Sequence, residues 1–176
     1  MPGTVRIRCL DALGEREIDG LCGVLIDCVE GGASVNFMLP MTRAKAEVFW
    51  RGVAASLGQR ERVVLVAEDE DDAIVGTVQV VWARPENQPH RADIAKMLVH
   101  RRARRRGVGA ALLAAAELAA REAGKTLLVL DTMTGSAAER LYRGHGWQSC
   151  GRIPGYALWP GGGFGDVTIL YKTLGA

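Results

Sequence analysis

The sequence predicts a single α/β domain built on a mixed sheet of about seven strands with about four helices. Three observations lead to this prediction. A chain of 176 residues suits one domain with one core. Apolar residues recur in some segments at alternate positions or in short β-branched runs, as in strands, and in others every three or four positions, as in helices. Between residues 92 and 131 an apolar run, a long Ala/Leu segment and a second apolar run indicate a parallel strand–helix–strand unit.

The chain begins with a strand and two helices. Residues 5–9 alternate apolar and polar side chains, which predicts a half-buried strand. Residues 18–29 carry apolar side chains on one helical face, and Gly31-Gly32 is placed to end this helix. Thr42 is placed to cap a second helix. The buried stripe of that helix is expected to be Ala46, Phe49, Val53 and Leu57.

In the segment between these helices, residues 31–38, the apolar residues follow neither the helical nor the strand spacing. Its small residues, together with Asn36 and Phe37, suit a loop that closes over a substrate, and a plain connector between helices is the alternative. We interpret three larger neighbouring side chains as core rather than binding groups: Met38, Phe49 and Trp50.

Residues 63–67 and 74–82 are apolar, β-branched runs that predict an antiparallel hairpin. The five acidic residues that follow the first run, Glu68 to Asp72, are interpreted as a solvated turn, with attraction of a cationic substrate as the alternative. The fourth strand is predicted at residues 92–99. Strict alternation would place Asp93, Ala95, Met97 and Val99 on one face and Ile94, Lys96 and Leu98 on the other. Asp93 would then share a face with residues next to the following loop.

The second half of the chain predicts helix, strand, helix and a closing strand pair. A helix is expected from Val108 to Ala123, followed by a buried strand at 126–130 from which Asp131 emerges. Ser136 and Glu139 form the pattern of a capping box that starts a short helix. The closing strands are expected at residues 147–152 and 167–172, joined by a loop from Pro154 to Gly165.

Composition excludes several classes of function. The net charge is only +2, and no apolar run approaches the ~18 residues of a membrane helix, so we expect a cytoplasmic protein without a membrane partner. The four cysteines and three histidines lack metal-ligand spacing, so no metal is expected. Five arginines lie between Arg101 and Arg106, but no aromatic residues are interleaved with them, which argues against nucleic acid. The oligomeric state stays open, a homodimer included.

The stretch from Arg104 to Ala110 is the strongest candidate for a binding site. It leads from a strand into a helix, and at a helix start several main-chain N–H groups lack partners and the helix dipole is positive. Gly107 and Gly109 have no Cβ, so a ligand can approach the main chain. The segment therefore predicts a site for an anion such as a pyrophosphate.

Two other phosphate-binding motifs fit this stretch less well. A P-loop is excluded because the Gly-Lys-Ser/Thr ending is absent. A dinucleotide-binding fingerprint would use Asp131 as its acidic residue, but Leu112 occupies the position of the third glycine, and five arginines separate the loop from the strand.

Two motifs resemble the signatures of the GCN5-related N-acetyltransferases (GNAT). Arg104, Gly107 and Gly109 match Arg-x-x-Gly-x-Gly, the acetyl-CoA signature of that family. Downstream, the chain matches Ala-x-x-Leu-Tyr-x-x-x-Gly-aromatic at Ala138, Leu141, Tyr142, Gly146 and Trp147. The order of predicted elements also agrees along essentially the whole chain.

The resemblance implies that acetyl-CoA binds in a gap between the fourth and fifth strands. Main-chain groups of Met97, Leu98 and Val99 would pair with the pantetheine arm. The pyrophosphate would be wrapped by Arg104, Arg105, Arg106, Gly107, Val108, Gly109 and Ala110. Many family members carry Asn at the position of Gly135, and here only the neighbouring Ser136 offers a side-chain hydrogen bond.

The resemblance also implies acetyl transfer to an amine. The amine must lose a proton before it attacks, and Asp93 and Asp131 are the candidates to bind it and accept that proton, with a cap or ion pair as the alternative role for each. Tyr142 is the candidate proton donor to the leaving thiolate, because a hydroxyl with a reference pKa of ~10, against ~8.5 for a thiol, carries its proton at neutral pH; a core tyrosine is the alternative.

Within the family, four segments look like the tabtoxin-resistance acetyltransferases, which act on the free amine of a β-lactam amino acid. They are residues 31–38, Asp131-Thr132, Pro154-Gly155-Tyr156 and residues 171–174. We therefore expect the acceptor to be the free amine of a small molecule, such as a tabtoxinine-β-lactam-like amino acid or another amine antibiotic. Acetylation of a protein N-terminus or lysine, and a non-catalytic acyl-CoA sensor, are the alternatives.

Overall fold

The computed structural model describes residues 5–175 as seven strands and four helices in the predicted order. Residues 1–4 and 176, part of the domain expected over 1–176, lie outside the described range. The strands are β1 (Arg6–Leu10), β2 (Arg62–Glu68), β3 (Ile74–Trp82), β4 (Arg91–Val99), β5 (Leu127–Met133), β6 (Gln148–Leu158) and β7 (Phe164–Thr173). The helices are α1 (Glu15–Glu30), α2 (Arg43–Gly58), α3 (Val108–Glu122) and α4 (Ala137–Gly144), with a 3-10 turn at Arg101–Ala103.

The strands form one mixed sheet in the order β1-β2-β3-β4-β5-β7-β6. α1 and α2 cover one face over a core that includes Leu21, Leu25 and Trp50. α3 and α4 cover the other face over a core that includes Leu112 and Trp147. The predicted α/β fold class is confirmed. Between Val5 and Gly175 no helix is long and apolar enough to cross a membrane.

β4 and β5 separate along their length, and this separation positions the site. The two parallel strands pair only at residues 91–93 and 127–129. Beyond this point β4 stays with β3 as far as Val99, whereas β5 stays with β7 as far as Met133. Each strand follows its other neighbour, so a gap opens between them. The expected splay of the fourth and fifth strands is confirmed.

A β-bulge in β4 overturns the predicted alternation of its side chains. Gln79 of β3 lies opposite Ala95, but Thr77 lies opposite Leu98, so two β4 residues face the single β3 residue between them. Lys96 is one of the two, with φ 50°. Leu98 consequently belongs to the α1–α2 core. Its two neighbours in β4, Met97 and Val99, pack on the α3 side. Asp93 does not share a face with the residues next to the glycine loop, and that prediction is wrong.

The acidic run after β2 is only partly a solvated turn. β2 extends to Glu68 because Glu68 pairs in register with Arg6 of β1. Its side chain is buried and accepts hydrogen bonds from Arg6 Nη2 at 2.8 Å and Arg8 Nη2 at 2.7 Å. These arginines hold the pKa of the Glu68 carboxyl below its usual range. Residues 69–72 make the turn.

Three further details differ from the sequence prediction. In α2, Trp50 is fully buried and Phe49 only half-buried, because the helix packs the Trp50 side of its surface against the sheet. Met38, in the preceding loop, is exposed. β5 continues beyond Asp131, which lies inside the strand opposite Ile169. The predicted loop from Pro154 to Gly165 is mostly strand, since β6 and β7 pair as far as Leu158 and Phe164.

Candidate active site

A cleft of about 670 Å³ occupies the gap between β4 and β5. It is bounded by the starts of α3 and α4, by the α1–α2 loop and by the β6–β7 hairpin. Most residues singled out in the sequence line it: Asn36, Met97, Leu98, Val99, Arg104, Arg105, Gly107, Val108, Gly109, Ala110, Asp131, Ser136 and Tyr142.

Three of the residues singled out do not line this cleft. Phe37 packs its ring edge-on against Phe49, with 5.2 Å between the ring centroids. Asp93 lies before the bulge and accepts a hydrogen bond from Arg91 Nη1 at 2.6 Å. Arg106 lies in the glycine loop but outside the cleft lining. The structure therefore brings Asp131, but not Asp93, together with Tyr142.

The start of α3 has the geometry of an anion site. The first main-chain hydrogen bond at the start of the helix runs from Ala111 N to Gly107 O at 3.0 Å, so the preceding N–H groups of residues 108–110 have no intrahelical acceptor. Gly107 has φ 79°, a left-handed conformation that suits glycine. A Cβ at Gly109 would lie 3.1 Å from Leu141 Cδ2, so the close approach of α4 favours glycine there.

The side chain of Arg104 is fixed beside the glycine loop by a hydrogen bond to β4. Its Nε donates a hydrogen bond to Val99 O at 3.1 Å, and Cys28 Sγ donates to the same oxygen at 3.4 Å. Both lone pairs of this carbonyl are therefore engaged. Other main-chain groups along the gap-facing edge of β4 are the ones left to pair with a ligand.

Tyr142 and Asp131 line the same cleft, and the charge of Asp131 acts on the Tyr142 hydroxyl. Tyr142 is 4% exposed, and its ring centroid lies 5.6 Å from that of Trp147. Burial, and secondarily the negative charge of Asp131, raise the pKa of Tyr142 well above its usual value. The Tyr142 hydroxyl therefore keeps its proton at neutral pH and can act as a proton donor.

The N-terminus of α4 closes the cleft beside the glycine loop. Ser136 Oγ accepts a hydrogen bond from Glu139 N at 3.0 Å, which confirms the predicted cap. The reciprocal bond differs from the prediction, because Glu139 Oε2 accepts from Gly135 N at 2.6 Å rather than from Ser136 N. Gly135 has φ 77°. Gly135 offers no side chain, so Ser136, Ala137 and Ala138 line this wall.

Sequence reasoning missed several cleft residues, of which Lys96 is the most important. In a regular strand Lys96 would lie on the face of Ile94 and Leu98, and no local signal marks the bulge that turns it into the cleft. Thr132, Tyr156 and Trp159 also line the cleft. The sequence predicts Tyr156 and Trp159 as part of the loop from Pro154 to Gly165 rather than as strand residues facing the cleft.

The family model described as an acetyltransferase (GNAT) domain matches residues 60–149, just over half of the chain. The chain belongs to the GNAT acetyltransferases. It is an acetyl-CoA-dependent N-acetyltransferase, as the two motifs predict. The matched residues include β4, the glycine loop, α3, β5 and α4, each of which contributes residues to the lining of the cleft.

Similar proteins span nearly the whole chain. An uncharacterized N-acetyltransferase in the hisH-hisA intergenic region of Azospirillum brasilense is 28% identical over 94% of this chain and 98% of its own length. The crystal structure of ribosomal-protein-alanine N-acetyltransferase from Brucella melitensis has 26% identity and a TM-score of 0.78, with 96% and 99% of the two chains covered. A phosphinothricin acetyltransferase from Sinorhizobium meliloti in complex with acetyl-CoA has 18% identity and a TM-score of 0.78, with 99% and 90% covered.

The residues of this GNAT cleft fit acetyl-CoA. The unpaired N–H groups at the start of α3 and the side chains of Arg104 and Arg105 suit a diphosphate. The unpaired edge of β4 beyond Asp93 offers main-chain groups to the amides of the pantetheine arm. Within residues 5–175 no cluster of His, Cys, Asp or Glu side chains is suited to hold a metal ion.

Proposed function

We propose that this GNAT enzyme acetylates the free amine of a small molecule, such as a tabtoxinine-β-lactam-like amino acid or another amine antibiotic. The proposal rests on one observation: two segments that line the cleft are joined to each other by hydrogen bonds. Ser34 Oγ in the α1–α2 loop donates a hydrogen bond to Leu158 O at 3.1 Å, and Leu39 N donates to Pro160 O at 3.0 Å. These bonds tie the α1–α2 loop to the β6–β7 hairpin.

Both of the tied segments contribute side chains to the cleft, Val35 and Asn36 from one and Tyr156 and Trp159 from the other. A peptide acceptor needs an open groove along which its chain can leave the site. A small acceptor needs an enclosed pocket, in which its few polar groups are oriented. The linked segments favour the enclosed pocket, and residues 31–38 are accordingly proposed to cover the substrate, with Asn36 as a contact.

In the proposed mechanism Asp131 prepares the acceptor. Acetyl-CoA supplies an activated acetyl thioester. An ammonium group has no lone pair, so the acceptor must lose a proton before it can attack. The Asp131 carboxylate is exposed to the cleft and binds the ammonium, then accepts its proton directly or through one water.

Main-chain N–H groups at the β4 bulge and the Tyr142 hydroxyl complete the proposed mechanism. A main-chain N–H next to Met97, on the unpaired edge of β4, donates a hydrogen bond to the oxygen on which negative charge develops. The Tyr142 hydroxyl, which its raised pKa keeps protonated, donates a hydrogen bond to the departing sulfur and passes its proton to it as the carbon–sulfur bond breaks. The resulting tyrosinate is returned to the neutral form from solvent.

Acetylation of a protein N-terminus is a second candidate function. It is favoured by the 26% identity with the ribosomal-protein-alanine N-acetyltransferase of Brucella melitensis. A screen of free amino acids, amine antibiotics and short peptides for thiol release from acetyl-CoA separates the two candidates. We expect turnover with small α-amino compounds and none with peptides. Turnover confined to peptides would replace the small-molecule proposal.

Exchange of Asp131 for Asn is expected to lower kcat by about 10²-fold, the lower end of what general acid–base groups contribute. Activity should recover as the pH rises toward the pKa of the acceptor amine, because the neutral amine then no longer needs the base. The matched control is Asp93→Asn, whose carboxylate lies outside the cleft beside Arg91 and should leave kcat within about twofold. A pH–rate profile of both variants checks this. Equal losses in the two variants would remove Asp131 from its proposed role.

A further inference from the structure

Lys96 is placed in the cleft by an unusual backbone conformation. It lies in the β4 bulge with φ 50°, and it lines the cleft on the side of α2. Its Nζ lies 5.6 Å from the centroid of the Phe49 ring. Among residues 5–175, no side chain or main-chain oxygen forms a hydrogen bond or salt bridge with this ammonium group. A non-glycine residue in a left-handed conformation within a strand costs about 1 kcal/mol or more, and such residues cluster at functional sites.

The charge of Lys96 is poorly compensated by the protein. Burial lowers the pKa of Lys96, the positive charge of Arg62 lowers it further, and the negative charge of Asp131 acts in the opposite direction. Lys96 and Asp131 line the same cleft but form no salt bridge with each other. Two opposite charges that share a cleft without pairing leave space between them for a ligand that carries both charges.

Two buried side-chain donors on the α2 side of the sheet have no partner among the described residues, and neither residue lines the cleft. Gln79, opposite Ala95 in the sheet, accepts a hydrogen bond from Arg62 Nη1 at 2.7 Å through its side-chain oxygen, which leaves its amide NH₂ without a partner. Trp50, adjacent in sequence to Phe49, is buried, and its indole N–H also has no partner among the described residues. Buried donors without partners are rare and call for an acceptor, such as an ordered water or an anion. Because these donors lie outside the cleft lining, the case for a negatively charged group rests on the Lys96 ammonium, which lines the cleft without a carboxylate partner in the part of the chain that the structure describes.

We infer that Lys96 binds a carboxylate of the acceptor, on the opposite side of the acceptor pocket from Asp131. This inference rests on the proposed function, and it narrows the acceptor to amines that also carry an acid group, with free amino acids as the simplest class. The Lys96 ammonium donates hydrogen bonds to the carboxylate, and Asp131 accepts one from the ammonium of the same molecule. Such an acceptor would be oriented with its amine beside Tyr142 and the thioester.

The test compares amino acids with their carboxamides, which lack the carboxylate charge, in the wild-type enzyme and in the Lys96→Met variant. The probes are L-serine, L-glutamine and L-methionine, each paired with its carboxamide, and thiol release from acetyl-CoA is followed. The wild-type enzyme should prefer each acid to its amide. In Lys96→Met, kcat/KM for the acids should fall about 10- to 100-fold, mainly through KM, because a hydrogen bond between charged groups is lost. The values for the amides should stay within about twofold, so that the preference disappears.

Lys125→Met is the matched control. The Lys125 Nζ lies 5.0 Å from the centroid of the Trp82 ring and donates to Pro89 O, so this change removes a lysine from a similar aromatic contact outside the cleft. It should leave the preference for acids intact. An equal loss of kcat/KM for acids and amides in Lys96→Met, or no loss for either, would overturn the assignment of Lys96 to a carboxylate.

The same inference can be tested without turnover. Calorimetric titration of the coenzyme A complex with each acid and amide measures acceptor binding alone. Tighter binding of the acid by wild type, and its loss in Lys96→Met, would support the role of Lys96 even if no probe were acetylated. In that case the proposed acetylation of these acceptors would be overturned, whereas the role of Lys96 in binding a carboxylate would stand. Equal binding of acid and amide by the wild-type protein would overturn the inference while leaving acetyl transfer open.

Discussion

Exchange of Tyr142 for Phe is expected to lower kcat by about 10³-fold, within the range of a positioned general acid, and to leave the Kd for acetyl-CoA within about twofold. The variant loses only the hydroxyl group that we propose as the proton donor. The ring remains packed 5.6 Å from Trp147, centroid to centroid, so the α4 core is preserved. Stopped-flow thiol release gives kcat, and calorimetry gives the Kd for acetyl-CoA.

The control for this prediction is Tyr171→Phe. The Tyr171 hydroxyl donates to Gln148 Oε1 at 2.6 Å between β7 and β6 and does not line the cleft. Its loss should leave kcat within about twofold. An unchanged kcat in Tyr142→Phe would make Tyr142 a core residue, the alternative that the sequence left open.

Exchange of Gly109 for Asp is expected to weaken acetyl-CoA binding by at least about 100-fold, because a like charge placed against a bound anion costs several kcal/mol. The aspartate would sit in the first turn of α3, where its carboxylate competes with the diphosphate for the unpaired N–H groups. An acidic residue in the first turn is compatible with a helix, so the variant should fold. Its Cβ requires only a small shift of the flexible Leu141 side chain, now 3.1 Å away.

Gly52→Asp is the matched control for the charge change. Gly52 lies on the exposed surface of α2, and a Cβ there meets nothing within 4 Å. It should leave the Kd for acetyl-CoA within about twofold, as measured by calorimetry. Unchanged affinity in Gly109→Asp, with the fold verified by circular dichroism, would show that the diphosphate lies elsewhere.

The order of elements and the position of the glycine loop at the cleft could be predicted from the sequence because both depend on local signals. The spacing of apolar residues predicts each helix and strand from a short stretch of sequence. The helix ends are also marked locally, by the Thr42 and Ser136 caps and by Gly124 after α3. The glycine loop is also a local feature, since Gly107 takes a left-handed conformation at the start of α3, whereas Gly109 is favoured by the close approach of Leu141.

The acceptor side could not be predicted in the same way, because it depends on pairing between distant strands. The β4 bulge arises from the register of β4 against β3, and no residue in β4 marks it. It places Lys96 in the cleft and removes Asp93 from the face next to the glycine loop. The length of the β6–β7 hairpin and its bonds to the α1–α2 loop also depend on long-range contacts, so local signals predict only a loop for the Gly- and Pro-containing segment.

The central claim is that the start of α3 binds the diphosphate of acetyl-CoA in the gap between β4 and β5. A crystal structure of the complex with coenzyme A tests it most directly. We expect diphosphate oxygens within hydrogen-bond distance of main-chain N–H groups of residues 104–110, and the thiol end beside Tyr142. A diphosphate bound away from this loop, or a pantetheine arm outside the gap, would contradict the account.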